Sequence, residues 1–255
     1  MLSQRLYLLR EMVWRDFQGR YAGSTLGLVW SFVPMLFQLA LFSFVFSTLL
    51  HIPSGSQAPF ALVLFAGLLP WFALQEGVQR AASAVVDNAN LVKRLRFPTE
   101  LLVLTPIAAA FLHQAVALLV FSVLLALLGH LSLGSSWLLL LALPLQLVLS
   151  GGLGLLCAAG QVFFRDLAPT LGVVFMAWFY LTPIVYPAMA VPERWRTWLA
   201  WNPLTPLVGL YRRALLGDGR GLPEGTLLLL GTTLLMAGAG LLVFERSKRR
   251  FPDEV

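Results

Sequence analysis

The sequence predicts an all-α integral membrane protein. Six transmembrane helices follow an N-terminal amphipathic interface helix, and two short re-entrant outer helices precede the last span. Three observations predict this. Charge is confined to a few clusters, and no Asp, Glu, Lys or Arg occurs in residues 21–75, 101–164, 167–192 or 225–244. A spanning helix needs about 20 mostly apolar residues to cross a ~30 Å hydrocarbon layer. The first two runs therefore hold two helices each and the last two hold one each. The chain is 58% hydrophobic and 12% charged, against about 25% charged in soluble domains. Finally, six spans in 255 residues leave no room for a separate soluble catalytic domain, so residues 1–255 form one membrane domain.

Residues 1–21 read as the interface helix. Leu2, Leu6, Leu9, Val13 and Phe17 fall on one stripe, with Gln4, Glu11, Arg15 and Gln18 opposite, the pattern of a helix lying in the membrane plane. Glu11 and Arg15 are spaced for an i,i+4 pair. The spans read as 26–50, 60–80, 101–129, 136–163, 169–187 and 225–244. Pro34 should kink the first of them. Glu76 and Arg80, near the inner end of the second, read as a snorkelling local pair. His113-Gln114 in the third reads as a hydrogen-bonded contact between helices rather than a proton relay. Ser150, Gly154 and Ala158 form a small-residue stripe on the fourth that permits close helix packing.

Lys and Arg placement sets orientation. The N-terminal segment, the link after the second span and the C-terminal tail are basic, whereas residues 51–58 and 130–135 hold no Lys or Arg. Both termini are thus expected in the cytoplasm. The segment 188–223 breaks the pattern, because it should be outside yet carries Arg194, Arg196, Arg212, Arg213 and Arg220. It is too apolar for a solvated loop and too charged to span. Two short helices broken at Asn202-Pro203 and at residues 217–221 fit it best. The net charge of +6 marks membrane edges rather than nucleic-acid binding. Residues 87–98 are the most polar stretch between spans. Asp87 or Asn88 can cap a short helix there, and Pro98 would stop it.

Much chemistry is excluded. The two lysines, Lys93 and Lys248, do not follow glycine, so no phosphate-binding Gly-Lys-Ser/Thr loop exists. The three histidines are isolated, and no metal-ligand spacing or nucleophile triad appears. Cys157 stands alone. The spans lack the buried acids of many ion-coupled carriers. A carrier with no energy source of its own borrows one, which suits a permease driven by a separate ATPase.

Specific residues then carry a likeness. Arg15-Asp16, Arg20-Tyr21, Ser24, Leu26-Gly27, Trp30 and Pro34 resemble the opening signature of permease subunits of bacterial ABC exporters for polysaccharides. Lys93, Phe97-Pro98 and Glu100 resemble the same family's second-loop region. So do Arg165-Asp166, Thr182-Pro183-Ile184 with Tyr186, and Asn202-Pro203-Leu204-Thr205-Pro206. The resemblance runs in order along nearly the whole chain. It implies a homodimer in the bacterial inner membrane with two separate ATP-binding subunits. ATP and Mg would sit on those subunits, with no cofactor or metal in this chain. It also implies a lipid-linked glycan as substrate, of the O-antigen type, with membrane lipid around it. A permease for teichoic acid, capsule, lipid or drug remains an alternative, as does a membrane-embedded transferase.

Three sets of residues are expected to do the work. A glycan conduit should be smooth and aromatic with few fixed charges, and Trp30, Phe37, Phe44, Trp178 and Tyr180 in spans one and five offer such faces. Asp87, Lys93, Arg94, Leu95 and Arg96 are expected to couple to the ATPase. Trp195, Trp198 and Leu207 are expected to form an outer gate that tucks back toward the membrane, shielded from bulky aqueous reagents.

Overall fold

The structure, a computed structural model, describes residues 2–19, 29–51, 56, 58–94, 97–187, 189, 191–217, 219 and 221–255. Among them there is no strand. Four helical stretches are long and apolar enough to cross a membrane: 60–87, 99–127, 133–163 and 226–247. Two shorter apolar helices occupy Val33–Leu49 and Leu167–Leu181.

Helix α1 (Leu2–Gly19) lies across the end of the bundle where the long helices carry their charges. Two ion pairs fix it there. Arg80 Nη1 donates to Asp16 Oδ2 at 3.0 Å and Nη2 donates to Asp16 Oδ1. Arg5 Nη1 donates to Glu100 Oε1 at 3.1 Å. The Arg80 fork therefore reaches α1, a partner 64 residues away. Leu6, Tyr7 and Trp14 stay exposed, giving the helix an uncovered apolar side.

Helix α2 (Val29–Phe42) carries Pro34 inside it and continues as seven residues of π-helix, Ser43–Leu49. Aromatic rings hold this departure in place. Phe42 stacks on Phe179 at 5.8 Å and Phe46 on Phe60 at 6.3 Å. Helix α3 (Phe60–Asp87) is the central element and extends well past the expected end of the second span. Its buried positions include Leu64, Leu68, Leu74, Val78 and Val85. Asn88 closes it by donating from Nδ2 to the Ala84 carbonyl at 2.8 Å. The short helix α4 (Ala89–Arg94) follows, starting after the expected Asp87 because α3 itself runs through that residue; residues 95–96 of the expected 87–98 lie outside the described residues.

Helix α5 (Thr99–Leu127) returns across the bundle. A 3-10 turn, Leu133–Leu138, leads into α6 (Leu139–Phe163). Helix α7 (Leu167–Leu181) is only 15 residues long, or about 22 Å at 1.5 Å per residue. It stops because Thr182 is extended (φ −101°, ψ 134°) ahead of Pro183, which disfavours helix in the residue before it. The outer segment holds α8 (Glu193–Trp201) and α9 (Leu204–Leu216), the latter ended by Gly217 in the left-handed region (φ 74°). Helix α10 (Thr226–Ser247) and a terminal turn, α11 (Phe251–Glu254), complete the chain.

Backbone contact, not side-chain bulk, joins α6 to α10. A Cβ placed on Gly152 would lie 2.5 Å from the Met236 carbonyl carbon, and one on Gly240 would strike the Gly152 carbonyl. The stripe Ser150, Gly154 and Ala158 is buried within the chain. A Cβ on Gly154 would come within 2.6 Å of Ile107 and 3.1 Å of Ala81. At the α1 end, a separate apolar cluster gathers Val85, Val92, Leu102, Leu155, Val162, Phe244 and Phe251. Helix α4 is thereby packed, through Val92, into the same cluster as α3, α5, α6, α10 and α11.

Candidate functional site

The expected coupling residues sit at this end. Asp87 is exposed and accepts from Ser83 Oγ at 2.7 Å. Lys93 is exposed on α4. The Arg94 side chain, Leu95 and Arg96 lie outside the described residues. Since Val92 anchors α4 in the shared cluster, a force on α4 is delivered to the ends of α3, α5, α6 and α10 together. A cleft of about 490 Å³ runs between α1, Val92, the start of α5 and Lys248.

Midway along the bundle lies a closed polar knot that periodicity does not reveal. Gln114 Nε2 donates to Gln146 Oε1 at 3.1 Å and to Tyr211 Oη at 2.8 Å. Gln146 Nε2 donates back to Gln114 Oε1 at 3.1 Å and to the Pro70 carbonyl at 3.0 Å. Tyr211 Oη donates to Gln146 Oε1. All three side chains are buried, and their amide donors are all used, as buried polar groups require. One residue each from α3, α5, α6 and α9 is thus tied together. Gln114 makes the interhelical contact expected of His113-Gln114, while His113 turns elsewhere, with Nδ1 3.9 Å from Glu76 Oε2.

The knot draws α9 into the core. Leu207, Leu210, Tyr211 and Leu215 of α9 are each at most 1% exposed. Arg212, the next residue, explains much of the misplaced positive charge. Its Nε donates to the Val63 carbonyl at 3.2 Å, Nη1 to Pro183 at 3.0 Å and Nη2 to Ile184 at 2.7 Å. Gly67 leaves room for it, since a Cβ there would sit 3.2 Å from Nη2. Other arginines of the segment behave similarly. Arg196 donates to the Val191 and Met189 carbonyls at 2.9 and 3.0 Å, and Arg213 to Gly221 at 3.1 Å. Arg194 lies 5.7 Å over the Trp195 ring. Arg220 is outside the described residues. Apart from that of Val63, in the first turn of α3, the accepting backbone carbonyls lie in the links after α7, before α8 and after α9, and satisfying them is a need that the positive-inside rule does not address.

Arg212→Met should release α9. Bonds to a charged group contribute about 1.5–3 kcal/mol each, and three are lost. With Leu207→Cys as reporter in a Cys157→Ser background, labelling by a bulky aqueous thiol reagent should rise about tenfold or more, tenfold corresponding to ~1.4 kcal/mol. Unchanged labelling would mean that Arg212 does not hold the helix.

Helix α8 differs from α9. Trp195 is 52% exposed and Trp198 73% exposed, and no residue of α8 is buried. Asn202 is the joint between the two helices. It accepts from Trp178 Nε1 and from the Leu204 amide, both at 3.0 Å, and donates to Thr182 Oγ1 at 2.9 Å. Trp178 is thereby fixed at the mouth of a cleft of about 480 Å³ lined by Trp195, Trp198, Trp201 and Tyr186. On α2 and its π extension, Phe37 and Phe44 are 68% and 54% exposed, and on α7 Tyr180 is 53% exposed. The Trp30 side chain lies outside the described residues, as do residues 20–28 of the opening signature.

Among the described residues no cluster of His, Cys, Asp or Glu could hold a metal. A helical bundle with charged helices crossing one end and two helices folded back at the other is the setting in which the sequence comparisons fall. Residues 7–216 match the model of the ABC-2 type transporter membrane family. The chain belongs to that family. Among curated relatives of this ABC-2 chain, the O-antigen export system permease protein RfbA of Myxococcus xanthus is 26% identical over 258 residues, covering 100% of this chain and 97% of the relative. A Klebsiella pneumoniae protein of the same name is 28% identical over 242 residues, covering 94% and 91%. The polysialic acid transport protein KpsM of Escherichia coli is 23% identical over 203 residues, covering 79% and 78%.

Proposed function

We propose that this ABC-2 chain is the membrane permease of an ATP-driven exporter that moves a lipid-linked polysaccharide, of the O-antigen type, out of the bacterial cytoplasm. The carrying observation is the end-to-end likeness to two permeases named for O-antigen export. The likeness to a polysialic acid transport protein supports polysaccharide as the wider substrate class. Two copies form the conduit in the inner membrane. The six-span topology places both termini in the cytoplasm, with α2 and its π extension as the first span and α7 as the fifth. ATP and Mg²⁺ belong to two separate subunits, which dock on α4 beside α1. Helices α8 and α9 guard the outer exit.

The exposed aromatics of α2 and α7 line the passage. A long, repetitive, polar chain slides over flat rings that contact sugar C–H faces, and a fixed charge would hold it. Trp30→Ala and Tyr180→Ala should therefore slow export more than they lower protein level, and Phe37→Asp should block it more strongly. The measurement is surface glycan per unit of permease in cells whose own permease gene is deleted. Normal export by all three variants at normal protein level would place the conduit elsewhere, and normal surface glycan without any permease would remove the proposed function altogether.

A further inference from the structure

A cavity of about 380 Å³ lies between α2, α3 and α5, lined by Pro34 and Met35 of α2, Phe72, Gln75, Glu76 and Gln79 of α3, and His113 of α5. Its size falls within the ~300–1,000 Å³ of small-ligand sites. Its polar lining is unusual. Glu76 lies 16 residues along α3 from Phe60, about 24 Å along the axis, which places it one turn inside the inner edge of a ~30 Å hydrocarbon layer. Polar side chains at that depth are costly unless partnered. Yet the Gln79 amide has no hydrogen-bond partner among the described residues. Gln75 has only one: its Oε1 accepts the Trp71 indole N–H at 2.8 Å, which leaves its Nε2 donors to the cavity. The Glu76 carboxylate of α3 and the His113 imidazole of α5, 3.9 Å apart and each engaged in an interaction of its own, border the same space.

We propose that this cavity is a sugar-binding subsite, which rests on the polysaccharide reading above and names where one unit of the chain is held. The chemistry selects the ligand class. The Gln75 and Gln79 amides, with a carboxylate and an imidazole bordering them, suit the alternating donors and acceptors of vicinal hydroxyls, and Phe72, one turn along α3, offers a ring to C–H groups. Among the described residues no Lys or Arg lines the cavity, and the carboxylate repels anions, which disfavours the diphosphate of a lipid carrier as the occupant. The cavity adjoins α2, so a unit held there sits beside the proposed conduit. Such a subsite makes passage depend on which sugars the chain contains.

The test uses the full chain in lipid nanodiscs, with Ala73→Cys as reporter in a Cys157→Ser background. Met35→Cys on the opposite wall is a second, independent reporter. The probe is maltotetraose, with inorganic pyrophosphate as the anionic control. For a Kd of ~10 mM, ~20 mM maltotetraose should slow thiol labelling about threefold, while pyrophosphate should not. Adding Gln79→Leu and His113→Leu should abolish the protection without abolishing labelling. Absence of protection at both reporters, protection that survives the two leucines, or equal protection by pyrophosphate would each overturn the subsite. The surface-glycan assay stands apart from this result, so loss of the subsite and loss of the export function are told apart.

Discussion

Gly152→Leu should leave almost no correctly folded protein in the membrane. The substituted side chain must enter where a Cβ alone already lies 2.5 Å from the Met236 backbone, and backbone cannot rotate away as a side chain can. Overpacking ordinarily costs about 1–3 kcal/mol. Here the two helices must separate, and with them go Gly240 against Gly152 and the packing of Thr233 and Leu229, both 1% exposed or less. Gly151→Leu is the control, because a Cβ there meets only a Leu104 methyl at 3.9 Å. Yield and thermal stability in detergent, read by size-exclusion chromatography, distinguish the two. Equal behaviour would mean that the α6 to α10 approach is not what holds the last helix.

Reversing Lys93, Arg94 and Arg96 to Glu should abolish export while the permease still folds and pairs. Like charges forced together across an interface cost several kcal/mol, so assembly with the ATPase should weaken about a hundredfold for each ~2.7 kcal/mol. If the three cations only attract anionic lipid, at about 1 kcal/mol each, the ATPase should still co-purify. Crosslinking from Leu95→Cys decides between these. Its absence in an intact assembly would count against docking.

The long helices were legible because hydrocarbon tolerates few charges, so gaps in the charge pattern mark them. The break at Asn202-Pro203 was legible for a local reason, since proline cannot continue the α8 helix. What escaped is non-local. Gln146 reads as one polar residue in a leucine-rich span, and nothing near it announces Tyr211, 65 residues away. Arg80 has Glu76 at the helical spacing of a local pair, but its fork goes to Asp16. Gly152 looked no different from Gly151, since only the position of α10 separates them. Arg196, Arg212 and Arg213 appeared as an exception to topology because their acceptors are carbonyls, which every residue carries and no sequence pattern displays. Of the candidate site, the aromatic residues could be named from composition. The cavity beside Glu76 and His113 could not, because it requires α2, α3 and α5 to be set side by side.

The arginines of the outer segment have a consequence for biogenesis. In the proposed topology each must be carried outward against an inside-negative potential, which opposes the move by about 2.3 kcal/mol per charge per 100 mV. Arg212 regains favourable contacts only when Val63, Pro183 and Ile184, from α3 and the turn after α7, are already in place. The segment is therefore a late step of membrane insertion, and its seating on the finished helices is what keeps its charge from being drawn back.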